Sequence, residues 1–367
     1  MNTSQTPVLP LGFVDVLPPQ ATMRFAAIQR IMTMLQGFGY ARVDPSLMEF
    51  AHNQDDSPKN FRMTDAISAR SIMLRSDMTM QVSRLSKTHL HAQPRPLRLC
   101  YSGEVLHNRA SNVSRDRQFT QIGAELIGDD TKLADQEIIC NAIEGAKLAG
   151  AQKITLDIAM PGLTERIIAT SPLRDKEVRD NLRKALVARD RGAVRTITGQ
   201  KNHAAEILLA AQGDIARGLD HLQTIATHDL VDDLQRIRDT ITMVRKQYGD
   251  VQYLLDPVEQ RGFAYQSDLG FTLFCAQCNG AIGRGGRYRI GDDEEAAVGF
   301  SLFMDSLSQT LQPHETQNRL FIPQIVSRET AHSLCSEGYI CVWCLAKNPT
   351  ADMARAQGCQ WLWQDEK

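Results

Sequence analysis

The chain has 367 residues, 43% of them hydrophobic and 23% charged, with a formal net charge of −2. A chain of this length can bury a full core and form two or three domains, so its stability requires neither metals nor disulfides. No apolar run approaches the length of a membrane-spanning helix, and the near-neutral charge argues against a large nucleic-acid footprint. The longest basic run, residues 179–195, is interleaved with Asp180 and Asp190, which is typical of a solvated helix face. The amino-terminal residues lack a signal-peptide pattern, so we expect a cytoplasmic protein.

The eight cysteines include two CxxC pairs, Cys275 with Cys278 and Cys341 with Cys344. Together the two pairs could form a four-thiolate zinc site. Each pair lies in a stretch predicted as β-strand, however, where residues three apart point to opposite faces. Reduced thiols that act as small core hydrophobes are the favoured interpretation, and we predict no metal and no cofactor.

The first predicted element is an amphipathic helix that follows Pro18-Pro19. Its apolar residues recur at spacings of three and four, namely Phe25, Ile28, Met32, Leu35 and Phe38. A short strand at residues 41–43 comes next, and residues 51–73 are predicted as a polar loop. The segment LRSDMT then passes from an extended piece into a helix near Asp77.

Two strands with a polar loop between them predict an antiparallel hairpin. Apolar and polar residues alternate in PLRLCYSGEVL, with the period of a half-buried strand formed by Leu97, Leu99 and Tyr101. After the loop HNRASNVS, the segment RDRQFTQIGAELIG has the same period. This period places on one face Arg115, Arg117, Phe119, Gln121, Gly123 and Glu125.

The middle of the chain is predicted to be mostly helical. A helix capped by Asp129-Asp130 extends to Leu148, and a strand follows at residues 154–158. The inward residues of that helix are predicted to be Leu133, Ile138 and Ile139. Residues 172–248 are almost entirely helical in character, with one apolar stripe formed by Leu234, Ile237, Ile241 and Val244.

Strands resume at FAYQSDLGFTLFCAQC, followed by a predicted glycine turn, GAIGRGGRY. The apolar segment AAVGFSLFMDSL is predicted as strand running into helix. After about residue 315, strand-like and helix-like pieces alternate, which favours a small α/β appendage.

Several of these segments resemble the motifs of class II aminoacyl-tRNA synthetases. LGFVDVLPPQ with the following helix and GYARVDPSLMEF resembles the first, dimer-forming motif. The hairpin from Leu99 to Glu125 resembles the second motif, and AAVGFSLFMDSL resembles the third. Within class II, LRSDMT is similar to the amino-acid loop of histidyl-tRNA synthetases. RGFAYQSDLGFTLF and GRGGRY are similar to that family's two histidine-specific segments.

The resemblance covers about residues 10–310 and implies an α+β fold, with an antiparallel sheet flanked by helices. It also implies a homodimer formed through the helix and strand of the first motif. We therefore predict a synthetase-like domain at residues 1–315, with a helical insertion at about 172–248. Residues 316–367 are predicted to form a small C-terminal α/β segment.

The resemblance also implies a histidine-binding site. It assigns this role to Asp77, Thr79, Arg115, Gln121, Glu125, Arg261 and Tyr265. The set suits histidine, because carboxylates accept from an ammonium and a ring N–H, and a guanidinium binds a carboxylate. The family's RGLDYY is RGFAYQ here, so Ala264 replaces an acid and Gln266 replaces a tyrosine. Alternatively, Gln121 and Glu125 only satisfy each other inside the sheet.

The positions that the family uses for ATP are not matched. The family has an arginine that clamps the α-phosphate, and His107 stands at that position here. Two residues later the family has an acid, where this chain has Arg109. The third motif's arginine is replaced by Ser306. The loop arginine, Arg115, remains. Amino-acid activation depends on positive charge placed where negative charge develops, and one lost stabiliser typically lowers the rate by about 10²- to 10³-fold. We therefore expect no useful adenylation and no catalytic residue.

One branch of this family combines a histidine site with a lost phosphate clamp, and its members associate with a short-form ATP phosphoribosyltransferase catalytic chain. The resemblance implies such a partner, with histidine as an inhibitory effector. About sixty residues follow the third motif and carry no basic face, so we expect no recognition of tRNA. Two alternatives are a truncated but active enzyme that adenylates an amino acid and a stand-alone sensor of histidine or uncharged tRNA.

Overall fold

The structure is a computed structural model, and it describes residues 8–51, 60–109, 116–160, 162–170, 173–199, 203–259, 266–312, 318–346 and 348–364. By compactness the chain divides into two units, Met1–Leu311 and Gln312–Lys367. Among the described residues, no helix is long and apolar enough to cross a membrane.

The first unit combines β-strands and helices. Its strands are β1 (Ala41–Arg42), β2 (Met48–Phe50), β3 (Arg62–Thr64), β4 (Ser71–Leu74), β5 (Leu97–Leu106), β6 (Gln118–Ile127), β7 (Thr155–Ala159), β8 (Gly213–Asp214), β9 (Gln252–Asp256), β10 (Gln266–Phe274), β11 (Gly283–Ile290) and β12 (Glu295–Phe303). Its helices are α1 (Gln20–Gly37), α2 (Thr79–Thr88), α3 (Lys132–Leu148), α4 (Leu163–Thr170), α5 (Lys176–Val187), α6 (Arg191–Thr198), α7 (His203–Ala210), α8 (Ile215–Gln223), α9 (His228–Gln247) and α10 (Met304–Leu307).

Within the described residues, nine strands form one sheet in the order β1-β5-β6-β12-β11-β10-β7-β9-β8. The strands from β5 to β7 are antiparallel neighbours, whereas β1 with β5 and β7 with β9 are parallel pairs. The predicted hairpin is confirmed, because β5 and β6 pair from Leu97 with Ile127 to Leu106 with Gln118. The expected sheet flanked by helices is therefore present, and it is mixed rather than purely antiparallel.

The buried stripe of helix α1 matches the predicted one only in part, because Met32 and Leu35 are buried as predicted whereas other members of the predicted stripe are not. Its buried side follows Ala27, Ile31 and Leu35, whereas Phe25 and Phe38 are 60% and 58% exposed. Residues advance by about 100° along a helix, so Phe25 lies nearly opposite Ala27, and Phe38 lies beyond the end of the helix. The predicted inward position of these two phenylalanines was therefore wrong.

The interior of α3 and α9 follows the predicted periodicity except at one position. Ile138 and Ile139 of α3 are fully buried, but Leu133 in the first turn is 65% exposed. The α9 stripe is buried as predicted, at Leu234, Ile237, Ile241 and Val244. Helices α4–α9 and the short strand β8 occupy the segment between β7 and β9.

Strands also occur in a segment predicted as polar loop. β3 and β4 lie within residues 60–74 and form a small antiparallel sheet with β2, in the order β2-β4-β3. These strands are only three or four residues long and mostly half-buried or exposed, so they carry little of the alternation that predicts a strand.

The predicted glycine turn is present only at residues 280–282 and was wrong beyond them, because residues 283–290 form the interior strand β11. A Cβ on Gly285 would lie 2.3 Å from the Phe271 ring, and one on Gly283 would lie 2.6 Å from the Leu302 side chain. Glycine at these positions permits close packing inside the sheet rather than a change of chain direction.

The strand assignment of the first CxxC pair was also wrong. Cys275 and Cys278 lie in a turn after β10, where the Cys278 N–H donates to the Cys275 carbonyl at 3.4 Å. Burial, and then the neighbouring Cys275 thiol, raise the pKa of Cys278 to about 12. Among the described residues, no three His, Cys, Asp or Glu side chains form a group that could hold a metal ion.

The second unit is a small α/β layer structure, in agreement with the predicted alternation. It contains β13 (Asn318–Ile322), α11 (Arg328–Ser336), β14 (Tyr339–Trp343), α12 (Ala351–Ala356) and β15 (Trp361–Leu362). Its strands are parallel in the order β14-β13-β15. Ile322 packs with Ala331 of α11, whereas Phe321 packs with Ala354 of α12, because successive residues of β13 face opposite sides.

Candidate functional site

One face of the nine-stranded sheet carries a cluster of polar side chains at its centre. The register pairs Glu125 of β6 with Gly299 of β12, and Gly299 with Gly286 of β11. Alternate residues of a strand share a face, so this face also carries Tyr101, Gln121, Tyr288 and Ser301. Four neighbouring strands therefore converge on one site.

Glu125 is the centre of this cluster and is 0% exposed. Tyr101 and Tyr288 donate hydrogen bonds to its two carboxyl oxygens, at 3.0 and 2.8 Å. Burial raises the pKa of Glu125 to about 8, and the hydroxyls of Tyr288, Tyr101 and Thr79 only partly offset this effect. The carboxyl group is therefore poised to take a proton or to meet a ligand that brings an N–H donor or a positive charge.

Gln121 connects this carboxyl group to the loop before α2. Its amide nitrogen donates to Asp77 Oδ1 at 2.8 Å and to Ser301 Oγ at 2.6 Å, and its oxygen accepts from the Met78 N–H at 3.0 Å. Within the described part of the chain, Gln121 and Glu125 thus bond to other groups rather than to each other. The interpretation that these two side chains merely satisfy each other does not describe the site.

Thr79 completes the set of predicted residues that the structure brings together. Its hydroxyl lies 3.1 Å from the Tyr101 hydroxyl, which in turn bonds to Glu125 and lies 3.1 Å from Ser301 Oγ. Asp77, Thr79, Gln121 and Glu125 therefore belong to one connected hydrogen-bond network.

Two glycines make room for this network. A Cβ on Gly299 would lie 1.7 Å from Glu125 Oε2, and a Cβ on Gly123 would lie 2.4 Å from the Tyr101 hydroxyl. Real Cβ atoms do not approach other atoms this closely, so both positions require glycine in this arrangement. The glycines allow side chains from adjacent strands to lie across the sheet.

Arg75 fixes the loop that carries Asp77. This residue is 7% exposed, and its guanidinium donates at 2.7 Å to the carbonyl oxygens of both Glu104 and Pro45. Gly103 lies beneath it, and a Cβ there would be 2.3 Å from Arg75 Nη2. The loop before α2 is therefore attached to β5 and to the segment after β1.

The positions assigned to ATP binding have other surroundings. His107 Nε2 lies 3.0 Å from the Ser76 carbonyl oxygen, and its ring is edge-on to Phe119 with 5.0 Å between centroids. Arg109 is exposed. The Ser306 carbonyl accepts from the Cys278 thiol at 3.2 Å. The His107 ring thus packs on Phe119, and the Ser306 backbone bonds to Cys278.

Three predicted histidine-binding residues, Arg115, Arg261 and Tyr265, lie outside the described residues. Sequence reasoning missed Tyr101, Tyr288 and Ser301 as members of the site. Tyr101 already lay on the apolar face of the predicted strand, and Tyr288 ends the histidine-specific segment GRGGRY. Period-two alternation along residues 283–290 would have placed Tyr288 on the same face as Gly286.

A sheet of this order, with the site on its central hairpin and on the strand that leads into α10, defines a class II synthetase-like domain. The family of histidyl-tRNA synthetases matches residues 12–307. The chain is 35% identical to an ATP phosphoribosyltransferase regulatory subunit of Rhodospirillum centenum, over 97% of this chain and 94% of that one. It is 36% identical to the regulatory subunit of Paramagnetospirillum magneticum, over 96% and 95%.

Solved structures show the same fold at lower identity. An ATP phosphoribosyltransferase regulatory subunit/histidyl-tRNA synthetase from Bacillus halodurans has a TM-score of 0.81 at 21% identity, covering 99% of each chain. Histidyl-tRNA synthetase from Nostoc has a TM-score of 0.76 at 15% identity, covering 99% of this chain and 91% of that one. A chain of an ATP phosphoribosyl transferase (HisG:HisZ) complex from Thermotoga maritima has a TM-score of 0.61 at 16% identity, covering 77% and 97%.

The chain therefore belongs to the histidyl-tRNA synthetase family and, within it, to the ATP phosphoribosyltransferase regulatory subunits.

Proposed function

We propose that this chain is a non-catalytic regulatory subunit of ATP phosphoribosyltransferase. It associates in the cytoplasm with a short-form catalytic chain, which needs it for the first step of histidine biosynthesis, and it transmits feedback inhibition by histidine. The relatives that are 35% and 36% identical over nearly the whole chain carry this name. The observation that carries the proposal is that the amino-acid half of the cleft forms one network, whereas His107 and Ser306 stand where the family has phosphate-binding arginines.

The amino-acid half suits histidine as the effector. Asp77 offers carboxylate oxygens beside Gln121, and the buried carboxyl of Glu125 faces neutral hydroxyls. An ammonium or an imidazole N–H that reaches this network would form a charge-assisted hydrogen bond, which is stronger than a bond between neutral groups. Arg261 is the residue we assign to the carboxylate of the ligand, by resemblance to the family.

The nucleotide half does not suit the activation of an amino acid. His107 packs edge-on against Phe119, and Phe119 packs edge-on against Phe303 at 5.9 Å, so this part of the cleft is aromatic. Ser306 has no charge to offer to a phosphate. Because each missing cation lowers the rate by about 10²- to 10³-fold, we propose that the subunit does not adenylate histidine. We also propose that it has no role in tRNA recognition, because the residues after the third motif carry no basic face.

A homodimer through α1 and β1 is part of the proposal. Phe25 of α1 is 60% exposed, and Leu47 and Met48, which follow β1, are each 42% exposed. Exposed apolar side chains of this size favour burial in a subunit interface.

Reconstitution tests the proposal directly. The subunit is co-expressed with a short-form ATP phosphoribosyltransferase catalytic chain, and phosphoribosyl transfer is measured with and without histidine. We expect activity only in the complex, and inhibition by histidine. No gain of activity on adding the subunit would contradict the proposal, and so would histidine-dependent ATP–pyrophosphate exchange by the isolated subunit.

Variants of the cleft then test where histidine binds. Glu125→Ala combined with Arg261→Ala should abolish binding of histidine to the complex, measured by calorimetry. Glu337→Gln, which changes an exposed glutamate of the second unit, is the matched control and should bind like the wild type. Unchanged affinity in the double variant would place the effector elsewhere.

A further inference from the structure

Two free cysteines of the second unit meet where α11 packs on β14. Cys335 lies in the last turn of α11 and is exposed, whereas Cys341 lies in the middle of β14 and is half-buried. Glu337 and Gly338 alone separate the helix from the strand, and Gly338 has a φ of 93°, a conformation that favours glycine. The chain therefore turns back sharply, and the end of α11 lies beside the beginning of β14.

The side of β14 that carries Cys341 faces α11. In the parallel sheet Leu320 of β13 pairs with Cys341, and both belong to the apolar cluster that contains Ala331 of α11. The Cys341 thiol donates a hydrogen bond of 3.8 Å to the Ala331 carbonyl oxygen. The sulfur of Cys341 is therefore in contact with the backbone of the helix.

This contact places the Cys341 sulfur at the turn that carries Cys335. In an α-helix each carbonyl accepts from the N–H four residues later, so the Ala331 oxygen is also the acceptor for the Cys335 N–H. Burial, and then a side-chain hydrogen bond with the Cys335 thiol, raise the pKa of Cys341. The two thiols are thus direct neighbours.

The two thiols differ in their access to solvent. A dissolved disulfide can reach Cys335, because this side chain is exposed, whereas Cys341 is shielded by the apolar cluster. Thiol–disulfide exchange begins with the attack of a thiolate and passes through a mixed disulfide. A mixed disulfide at Cys335 removes the thiol that helps to raise the pKa of Cys341. Cys341 therefore ionises more readily once Cys335 has reacted.

Cys344 is the other thiol that the sequence places close to Cys341. It is 0% exposed, and its thiol donates to the Ala346 carbonyl at 3.4 Å. Cys344 belongs to a different apolar cluster, which contains Phe321 and lies on the opposite side of β13 from the cluster that includes Cys341. The structure therefore pairs Cys341 with Cys335 and not with its CxxC neighbour.

We propose that Cys335 and Cys341 are a thiol-modification site, at which a low-molecular-weight disulfide such as oxidised glutathione produces an internal Cys335–Cys341 disulfide. The Cys335 thiolate attacks one sulfur of oxidised glutathione, and the first glutathione leaves as a thiolate that takes up the proton lost by Cys335. The Cys341 thiolate then attacks Cys335 Sγ, and the second glutathione leaves in the same way. Two protein thiols are oxidised, and one glutathione disulfide is reduced to two thiols.

The product would join the end of α11 to β14, which is an edge strand of the second unit's sheet. Exposed disulfides are more easily reduced than buried structural ones, so we expect the modification to be reversible. The inference concerns the second unit and does not depend on the proposed function.

Peptide mapping of the full-length protein tests this site. The reduced protein is incubated with oxidised glutathione, its remaining thiols are blocked with iodoacetamide, and it is digested without reduction. A glutamate-specific protease cleaves at Glu337, and chymotrypsin cleaves at Trp343, so together they separate Cys335, Cys341 and Cys344. We expect the Cys335 peptide joined to the Cys341 peptide, and dithiothreitol should release both.

Variants separate the two steps of the reaction. Cys341→Ala lacks the second thiol and should retain glutathione on Cys335. Cys335→Ser should form no internal disulfide and should carry no glutathione on Cys341. Cys344→Ala is the matched control, and it should form the Cys335–Cys341 disulfide as the wild type does.

Three outcomes would overturn the inference. These are no internal disulfide in the wild type at millimolar oxidised glutathione, a disulfide between Cys341 and Cys344, and glutathione that stays on Cys335 of the wild type. The wild-type map needs no substitution, and Cys335 is exposed, so Cys335→Ser keeps the test decisive if Cys341→Ala does not fold.

Discussion

The Tyr288 hydroxyl on β11 donates a hydrogen bond of 2.8 Å to Glu125 on β6, across the intervening strand β12. The bond crosses β12 at Gly299, the residue that is paired with Glu125 in the sheet. Residues 163 positions apart in the chain thus meet only because three strands lie side by side. The site depends on strand order as much as on the identity of its residues.

Gly299→Ala should disrupt this bond. The added methyl group would lie 1.7 Å from Glu125 Oε2, so the carboxyl group must move away from Tyr288. Overpacking of this kind typically destabilises a core by about 1–3 kcal/mol, and we expect histidine affinity to fall more than tenfold. Urea denaturation and calorimetry measure the two effects. Gly37→Ala is the control, because a Cβ there meets nothing within 4 Å, and equal behaviour of both variants would contradict the prediction.

Glu125→Gln should change how stability depends on pH. The pKa of Glu125 is about 8 in the folded chain and near its ordinary value of 4.5 in the unfolded chain, so the folded state retains a proton that the unfolded state loses between these values. The stabilisation that this retained proton gives the folded state is complete below pH 4.5. The free energy of unfolding then decreases as the pH rises to about 8, by about 1.4 kcal/mol per pKa unit at most. Glutamine does not titrate, so the variant should lose less stability over this range.

Urea unfolding at several pH values between about 5 and 8 measures this slope. Glu337→Gln, at an exposed position, should retain the slope of the wild type. A slope in Glu125→Gln equal to that of the wild type would mean that another group titrates in this window.

Asp135→Ala should be strongly destabilising. Asp135 is 0% exposed, forms an ion pair of 2.5 Å with Arg287 of β11 and accepts a hydrogen bond of 2.8 Å from Arg236 of α9. Removing the Asp135 carboxylate leaves the charge of the buried Arg287 guanidinium only partly neutralised. Breaking a buried ion pair in this way typically lowers the free energy of unfolding by about 3–5 kcal/mol. Asp352→Ala breaks an exposed pair with Arg355 and should change stability by less than about 1 kcal/mol. Equal unfolding midpoints for the two variants would refute the prediction.

The cysteines should differ in their rate of alkylation. The pKa of Cys278 is about 12, its thiol bonds to the Ser306 carbonyl, and little thiolate is present near neutral pH. Cys335 is exposed on α11. Iodoacetamide treatment of the native protein, followed by peptide mass spectrometry, should show Cys335 modified well before Cys278. The difference should disappear in urea, and faster modification of native Cys278 would contradict its raised pKa and partial burial.

Local sequence patterns predicted the parts of the fold that depend on local periodicity. Alternation identified β5 and β6, and the apolar stripe of α9 was correct at Leu234 and Ile237. β11 was missed because its glycines serve close packing, which a local pattern cannot distinguish from a turn. Asp77 and Gln121 entered the candidate site through resemblance, and their direct hydrogen bond follows from the contact between the loop before α2 and β6.

The role of Tyr288 depended on information that the local sequence lacks. Its contact with Glu125 requires β12 to lie between β6 and β11, and that order is set by pairing between distant segments. The sequence placed Gly123 and Glu125 on one face of a strand, but it did not show the donors that satisfy this carboxyl group. Long-range strand pairing therefore determines the chemistry of this site.

Neighbouring positions of β5 face unrelated surroundings. The odd-numbered Leu99 and Tyr101 belong to the face with Glu125, and the even-numbered Arg98 and Cys100 belong to the face with α1 and α3. Deleting one residue from this strand would exchange the two sets, placing a guanidinium beside the Glu125 cluster and an aromatic ring against the helices. A substitution in β5 therefore changes one face of the sheet, whereas a change in the length of β5 alters both faces together.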